Sequence, residues 1–161
     1  MNRVILAGFD GKCNPARIIT ERVDCGCRKL ILPNDKDKST ELLLSEIDRA
    51  ETGVVILLGQ KPCICNKIAV EPTATLYGET LHTSLDVTVS AELIQQSSYP
   101  AYISRGCGTS CCNHIYFQCL KSGVNCIFLH VPMLKNISDI DAITKAIEGY
   151  IKGIAGVPAM L

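Results

Sequence analysis

The chain has no tryptophan, and three phenylalanines and five tyrosines among 161 residues put aromatics at only 5%. Charge is equally muted: sixteen Lys and Arg balance sixteen Asp and Glu, with no basic block. Nucleic-acid binding needs a basic footprint and usually stacking aromatics, so both absences argue against it. Long apolar runs are missing too. The longest uniform one, Val54–Leu58, is far too short to span a bilayer. Met1–Asp10 reads as a strand start and lacks the apolar core and cleavage pattern of a signal peptide. The expectation is a cytoplasmic protein without a membrane partner.

Cysteine is what the chain has in quantity. Ten thiols, at 13, 25, 27, 63, 65, 107, 111, 112, 119 and 126, make about 6% of the chain, below the ~8–10% of disulfide scaffolds. In a reducing compartment most should be free, and most are expected to pack as small buried hydrophobes. Cys25-Gly26-Cys27 and Cys63-Ile64-Cys65 are paired thiols, but C-x-C lacks the C-x₂-C spacing of strong zinc sites. With only three histidines in addition, no metal and no cofactor is expected. Gly106-Cys107-Gly108 imitates a dinucleotide fingerprint, but Cys111 stands at the third glycine position.

Without repeats, low-complexity stretches or a linker, residues 1–161 read as one domain with room for a real core. Short apolar runs at Val4–Ala7, Arg28–Leu32, Gly53–Leu58, Lys67–Val70, Tyr99–Ile103 and Val124–Val131 read as strands. Helices are predicted between most of them. Asn14-Pro15 starts one that runs to about Val23. Leu43, Ile47 and Ala50 mark an amphipathic helix over Ser39–Glu51. Others cover Val89–Gln96, Cys111–Leu120 with Gly123 as C-cap, and a long stretch from a Ser138 cap to about Ile151. Thr73–Asp86 has no clear assignment. Strands alternating with helices predict an α/β three-layer sandwich, a mostly parallel sheet flanked by helices on both faces. Sites in such sheets form at the carboxyl ends of strands, where Glu71, Cys112 and His130 are expected to meet.

The segment Ser104-Arg105-Gly106-Cys107-Gly108-Thr109-Ser110-Cys111-Cys112-Asn113-His114 joins strand to helix through two glycines. A helix start leaves N–H groups free to hold an oxyanion, and its dipole gives a cysteine there thiolate character. His130 can supply a proton, and pairing with its imidazolium would depress the Cys112 pKa further. Glu71 can hold that imidazole in the productive tautomer. On spacing alone, His130 also reads as a core histidine at a strand end. His114, two residues from Cys112 on the helix, points away from it. Cys111 competes with Cys112, about 100° around the helix, and position alone leaves both open.

In this order the segments resemble the pyroglutamyl peptidases, also called pyrrolidone-carboxylate peptidases. The family nucleophile lies in a segment like Ser-x-x-Ala-Gly-x-x-x-Cys-Asn, and Ser104, Gly108, Cys112 and Asn113 match in register. The family histidine lies in a segment like Phe-Ile-His-Val-Pro, matched by Phe128, Leu129, His130, Val131 and Pro132. Gly59-Gln60 and Lys67-Ile68-Ala69-Val70-Glu71 resemble further elements, as do Gly8-Phe9, Asn14-Pro15, Leu32-Pro33 and Thr83-Ser84-Leu85. The resemblance selects Cys112 over Cys111 as nucleophile. It implies His130 as proton shuttle, Glu71 as third member, and Phe9 with Gln60 at the substrate.

Departures accompany it. Typical members are longer, and this chain has lost material between Glu71 and Cys112 and between Cys112 and His130. The Pro-Phe-Gly-Gly loop that helps hold the pyroglutamyl ring is replaced by Asp10-Gly11-Lys12-Cys13. Lys61-Pro62-Cys63-Ile64-Cys65-Asn66 replaces Gly-Gly-Arg, Glu71-Pro72-Thr73-Ala74 replaces Glu-Arg-Val-Ala, and Leu81 stands where an arginine is usual. The resemblance implies a cysteine hydrolase acting on a small peptide or amide, assembled as a homodimer or homotetramer. A second reading is a relative that keeps the fold as a binding or assembly module, with the apolar tail Gly153–Leu161 docked on a partner or on its own core.

Overall fold

The computed structural model describes residues 3–47 and 51–156. Its central sheet has six strands in the order β2-β1-β3-β8-β4-β7. These are β1 (Arg3–Phe9), β2 (Arg28–Leu32), β3 (Thr52–Lys61), β4 (Ile68–Glu71), β7 (Ala101–Ile103) and β8 (Cys126–Pro132). A separate hairpin pairs β5 (Thr73–Leu76) with β6 (Glu79–His82). The helices are α1 (Pro15–Arg22), α2 (Lys36–Glu46), α3 (Val87–Gln95), α4 (Cys111–Lys121) and α5 (Ile140–Ala155). The three-layer α/β class is as expected.

Period-two alternation sorts the sheet's side chains into two cores. Val54, Ile56 and Leu58 of β3 join Leu6, Ile68, Val70, Ile127, Leu129 and Val131 on the face covered by α1, α3 and α5. Each large apolar side chain buried here contributes about 1.5–3 kcal/mol, and α5 alone brings Ile143, Ile147 and Ile151. Val55 and Leu57 join Ile5, Ala7, Phe9, Cys126 and Phe128 on the other face, under α2, α4 and the hairpin. This second face carries the site.

Strand direction departs from the sequence reading in one consequential way. β1, β2, β3 and β8 run parallel, but β4 runs antiparallel to β8, with β7 parallel to β4. The connection from β3 to β4, residues 62–67, holds no helix. A parallel return needs a crossover of a dozen or more residues, so the chain reverses instead. Cys63 and Asn66 make the turn at φ 69° and 48°. Glu71 therefore ends β4 opposite Phe128, in the body of β8 rather than at its carboxyl edge.

Other boundaries shift for local reasons. Asp35 caps α2 through its bonds to the Asp37 and Lys38 amides, so the helix starts before Ser39 and ends at Glu46. Ala50 lies outside the described residues. Asp139 rather than Ser138 caps α5, accepting from Asp141 and Ala142. Ser122 caps α4 at its C-terminus, and Gly123 follows at φ 84°. The unassigned stretch 73–86 contains the hairpin, turned by Tyr77 and Gly78 at φ 50° and 78°. Of the expected apolar tail, Gly153–Ala155 is helix, with Gly153 close against Leu93 of α3; residues 157–161 lie outside the described residues. No helix among the described residues is long and apolar enough to cross a membrane.

The cysteines are free thiols, but most are not buried. Cys107, Cys119 and Cys126 are; Cys13, Cys63 and Cys65 are exposed, and the other four are intermediate. The buried ones belong to the core under α4, whereas the exposed ones lie in loops and turns.

Candidate active site

Glu71, Phe128 and His130 share one sheet face because β4 pairs Ala69 with His130 and Glu71 with Phe128. The diagonal of that ladder brings His130 Nδ1 to 2.7 Å from Glu71 Oε1. An ionised carboxylate only accepts, so Nδ1 carries the proton and Nε2 is left as the basic nitrogen. Both side chains are buried, Glu71 completely. The Phe128 ring packs against the imidazole at 4.6 Å between centroids and against Tyr116 at 5.8 Å. His130 is thus held by a hydrogen-bonded carboxylate and an aromatic neighbour.

The thiol comes from α4. Ser110 caps this helix with its hydroxyl accepting from the Cys112 amide at 3.3 Å, and Gly108 makes the approach at φ 84°. Two further residues pin the helix down. Asn113 donates to the Thr75 carbonyl at 2.6 Å and accepts from the Thr75 amide at 2.9 Å, mimicking a strand neighbour for β5. Tyr116, one turn beyond Cys112, donates its hydroxyl to the Glu71 carbonyl at 2.8 Å. Residues i and i+4 share a helix face, so Cys112 is turned toward the sheet with Tyr116.

There it meets Gly59, which pairs with His130 across β3 and β8. A Cβ on Gly59 would stand 2.7 Å from Cys112 Sγ and 2.8 Å from Phe128 Cζ. The thiol therefore lies over the His130 row of the sheet. Among the described residues, no hydrogen bond joins Sγ to His130.

Burial works against ionisation of the thiol, in the opposite direction to the helix start. Burial pushes Cys112 up from 9.0 to about 11, outweighing the Ser110 hydroxyl that pulls it down; Cys111 and Glu71 add to the rise. Cys107 is also raised, first by burial and then by Glu71. The N–H groups of Cys111 and Asn113 make no hydrogen bond among the described residues, so donors remain at the helix start.

The other expected residues divide. Phe9, buried at the end of β1, belongs to the same core as Phe128, with Cys112 packed against it. Gln60 does not join them, because alternation along β3 sets it on the opposite face from Gly59 and Lys61. Lys61, which the sequence reading passed over, instead reaches Glu71 Oε1 at 3.1 Å. Its alternation with Val55, Leu57 and Gly59 was the available signal.

No family model matches the chain. It is similar to the pyrrolidone-carboxylate peptidase of Lactobacillus johnsonii, 26% identical over 172 aligned positions covering 82% of this chain and 78% of that protein. The pyrrolidone-carboxylate peptidase of Mycobacterium tuberculosis is 23% identical over 202 positions, 96% of this chain and 91% of the relative. That alignment exceeds the chain's 161 residues, so the relative carries segments missing here. Among solved structures, pyroglutamyl peptidase I of Bacillus amyloliquefaciens superposes with a TM-score of 0.84 at 20% identity, covering 98% of this chain and 97% of that one. The pyrrolidone carboxyl peptidase of Thermococcus litoralis gives 0.78 at 22% identity, covering 94% and 92%. The chain has the fold of the pyrrolidone-carboxylate peptidases and is a shortened, divergent relative of them in sequence.

Proposed function

We propose that the protein is a cysteine hydrolase of the pyroglutamyl-peptidase type, removing an N-terminal pyroglutamyl group or cleaving a related small amide. The observation that carries this reading is the buried His130 Nδ1–Glu71 Oε1 bond at 2.7 Å, on the row where Cys112 lies over Gly59. A histidine serving only the core would not need a fully buried carboxylate as partner.

In this reading Cys112 Sγ attacks the amide carbonyl while His130 Nε2 takes the thiol proton. The raised thiol pKa fits proton transfer during attack better than a standing thiolate–imidazolium pair. His130 then delivers the proton to the leaving amine nitrogen as the carbon–nitrogen bond breaks. Water, deprotonated by the same nitrogen, hydrolyses the thioester and restores the thiol. Glu71 keeps the proton on Nδ1 and offsets the imidazolium charge. The free N–H groups at the start of α4 supply donors for the tetrahedral oxyanion. Phe9 contributes an apolar wall for a small ring, whereas the Gln60 side chain starts from the opposite face of β3.

Release of a chromogenic amine from a pyroglutamyl amide tests the reading. Wild type and Cys111→Ala should turn over, and Cys112→Ala should be silent. Equal activity in wild type and Cys112→Ala, or no wild-type turnover on pyroglutamyl and other small amides, overturns it.

A further inference from the structure

Lys61 ends β3 on the same face as Gly59, and its ammonium makes three contacts. Nζ lies 3.1 Å from Glu71 Oε1, 3.0 Å from Ser104 Oγ and 3.5 Å from the Gly106 carbonyl. An ammonium has three protons to donate, and three acceptors surround it. The side chain is 28% exposed while Glu71 is wholly buried, so the cation closes the site from the solvent side.

Each contact has a consequence. Burying a carboxylate without a compensating cation is costly, and His130 must be neutral to act as a base. In that state Lys61 is the positive charge in contact with Glu71. Its bond falls on Oε1, the oxygen that also accepts from His130 Nδ1, whereas Oε2 has no partner among the described residues. Lys61 thereby fixes which carboxylate oxygen orients the imidazole.

The other two contacts go to the loop that delivers the nucleophile. Ser104 Oγ accepts from Lys61 and from the Gly106 amide at 3.3 Å, and donates to the Gly106 carbonyl at 3.2 Å. This closed set of bonds anchors the segment that passes through Cys107 and Gly108 to the Ser110 cap and Cys112. One side chain therefore touches both halves of the reaction centre, the Glu71–His130 pair and the loop that carries the thiol.

We propose that Lys61 is a positioning residue that sets His130 relative to Cys112 by tying Glu71 to the Ser104–Gly106 loop. The inference rests on the Cys112–His130 reading above. With its three protons engaged, Lys61 has none left for substrate, so its effect should fall on kcat rather than KM.

The test compares wild type, Cys112→Ala, Lys61→Met, Lys61→Arg and Ser104→Ala on the same amide, with a thermal melt of each. Lys61→Met should lower kcat roughly 10²-fold, the scale expected for misplacing a reacting group by about 1 Å, with KM within about twofold. Lys61→Arg, which keeps the charge, should recover most of kcat. Ser104→Ala removes one acceptor without exposing the carboxylate, and should lower kcat by a smaller factor at constant KM. A raised KM with unchanged kcat in Lys61→Met would make the lysine a substrate ligand and overturn the proposal. Wild-type kcat in that variant overturns it too. If Lys61→Met does not fold, Ser104→Ala decides, and wild-type kcat there is the overturning result. An active Cys112→Ala would instead sink the nucleophile assignment itself, an outcome separate from either Lys61 result.

Discussion

The Cys112 thiol occupies the space that a side chain on Gly59 would need: a Cβ there would stand 2.7 Å from Sγ. Phe128, which packs on His130, would be met at 2.8 Å. Glycine at 59 is thus a packing requirement of the site, independent of backbone conformation. Gly59→Ala should cost about 1–3 kcal/mol, as overpacked cores do. Turnover should fall more than stability, because both displaced neighbours belong to the site. Denaturant midpoints beside kcat measure this; a variant as stable and active as wild type would mean that Sγ does not rest over residue 59.

Glu71→Gln keeps the side-chain volume but allows the amide nitrogen to face His130 Nδ1, favouring the wrong tautomer. A loss in kcat of about 10²–10⁴ is expected, with KM little changed. Nitrogen NMR of the imidazole at neutral pH should show the Nδ1–H form in wild type and a tautomer mixture in the variant.

Cys112 should be a slow thiol at neutral pH. With its pKa pushed up to about 11, its alkylation rate should climb about tenfold per pH unit from pH 7 and bend only near 11, since thiolate is the reacting form. Mass spectrometry after iodoacetamide treatment would follow it, with exposed Cys13, Cys63 and Cys65 labelling earlier. A bend below pH 7 would instead reveal a preformed thiolate–imidazolium pair. The same shift has a stability consequence of definite sign. A thiol raised in the folded state contributes stability that is whole below its ordinary value of 9.0 and lost as pH climbs through about 11.

Asn113 holds α4 to the hairpin through both polar atoms of its amide. Asn113→Ala leaves the Thr75 amide and carbonyl without these partners, and should cost about 1–3 kcal/mol. Hydrogen exchange at the Thr75 amide should rise in the variant. Unchanged protection there would show that the β5–β6 hairpin does not depend on α4.

Much of this arrangement was open to reading before folding. Asn14-Pro15 marks a helix start, and the continuous apolar run around Val54–Leu58 marks a central strand. Both follow from local chemistry: an Asx cap with a proline behind it, and burial on two faces. The order of Glu71, Cys112 and His130 in recognisable segments pointed to these residues, and the fold sets Glu71 against His130. The hairpin escaped because Tyr77-Gly78 is a weaker turn signal than Asn-Gly or Asp-Gly.

Taken by itself, the sequence determined which chemistry is available: a cysteine at a helix start, a histidine in a buried strand, a carboxylate ending another. Tertiary structure decided how these groups meet. The reversed direction of β4 places Glu71 beside His130 over the sheet face, because the helix-free turn at 62–67 is too short for a parallel return. Contact across the sheet chose Cys112 for the space above Gly59 and brought in Lys61, which no motif marks. Burial also bears on the thiol: desolvation depends on every neighbouring element, and it pushes Cys112 up despite the Ser110 hydroxyl that pulls it down.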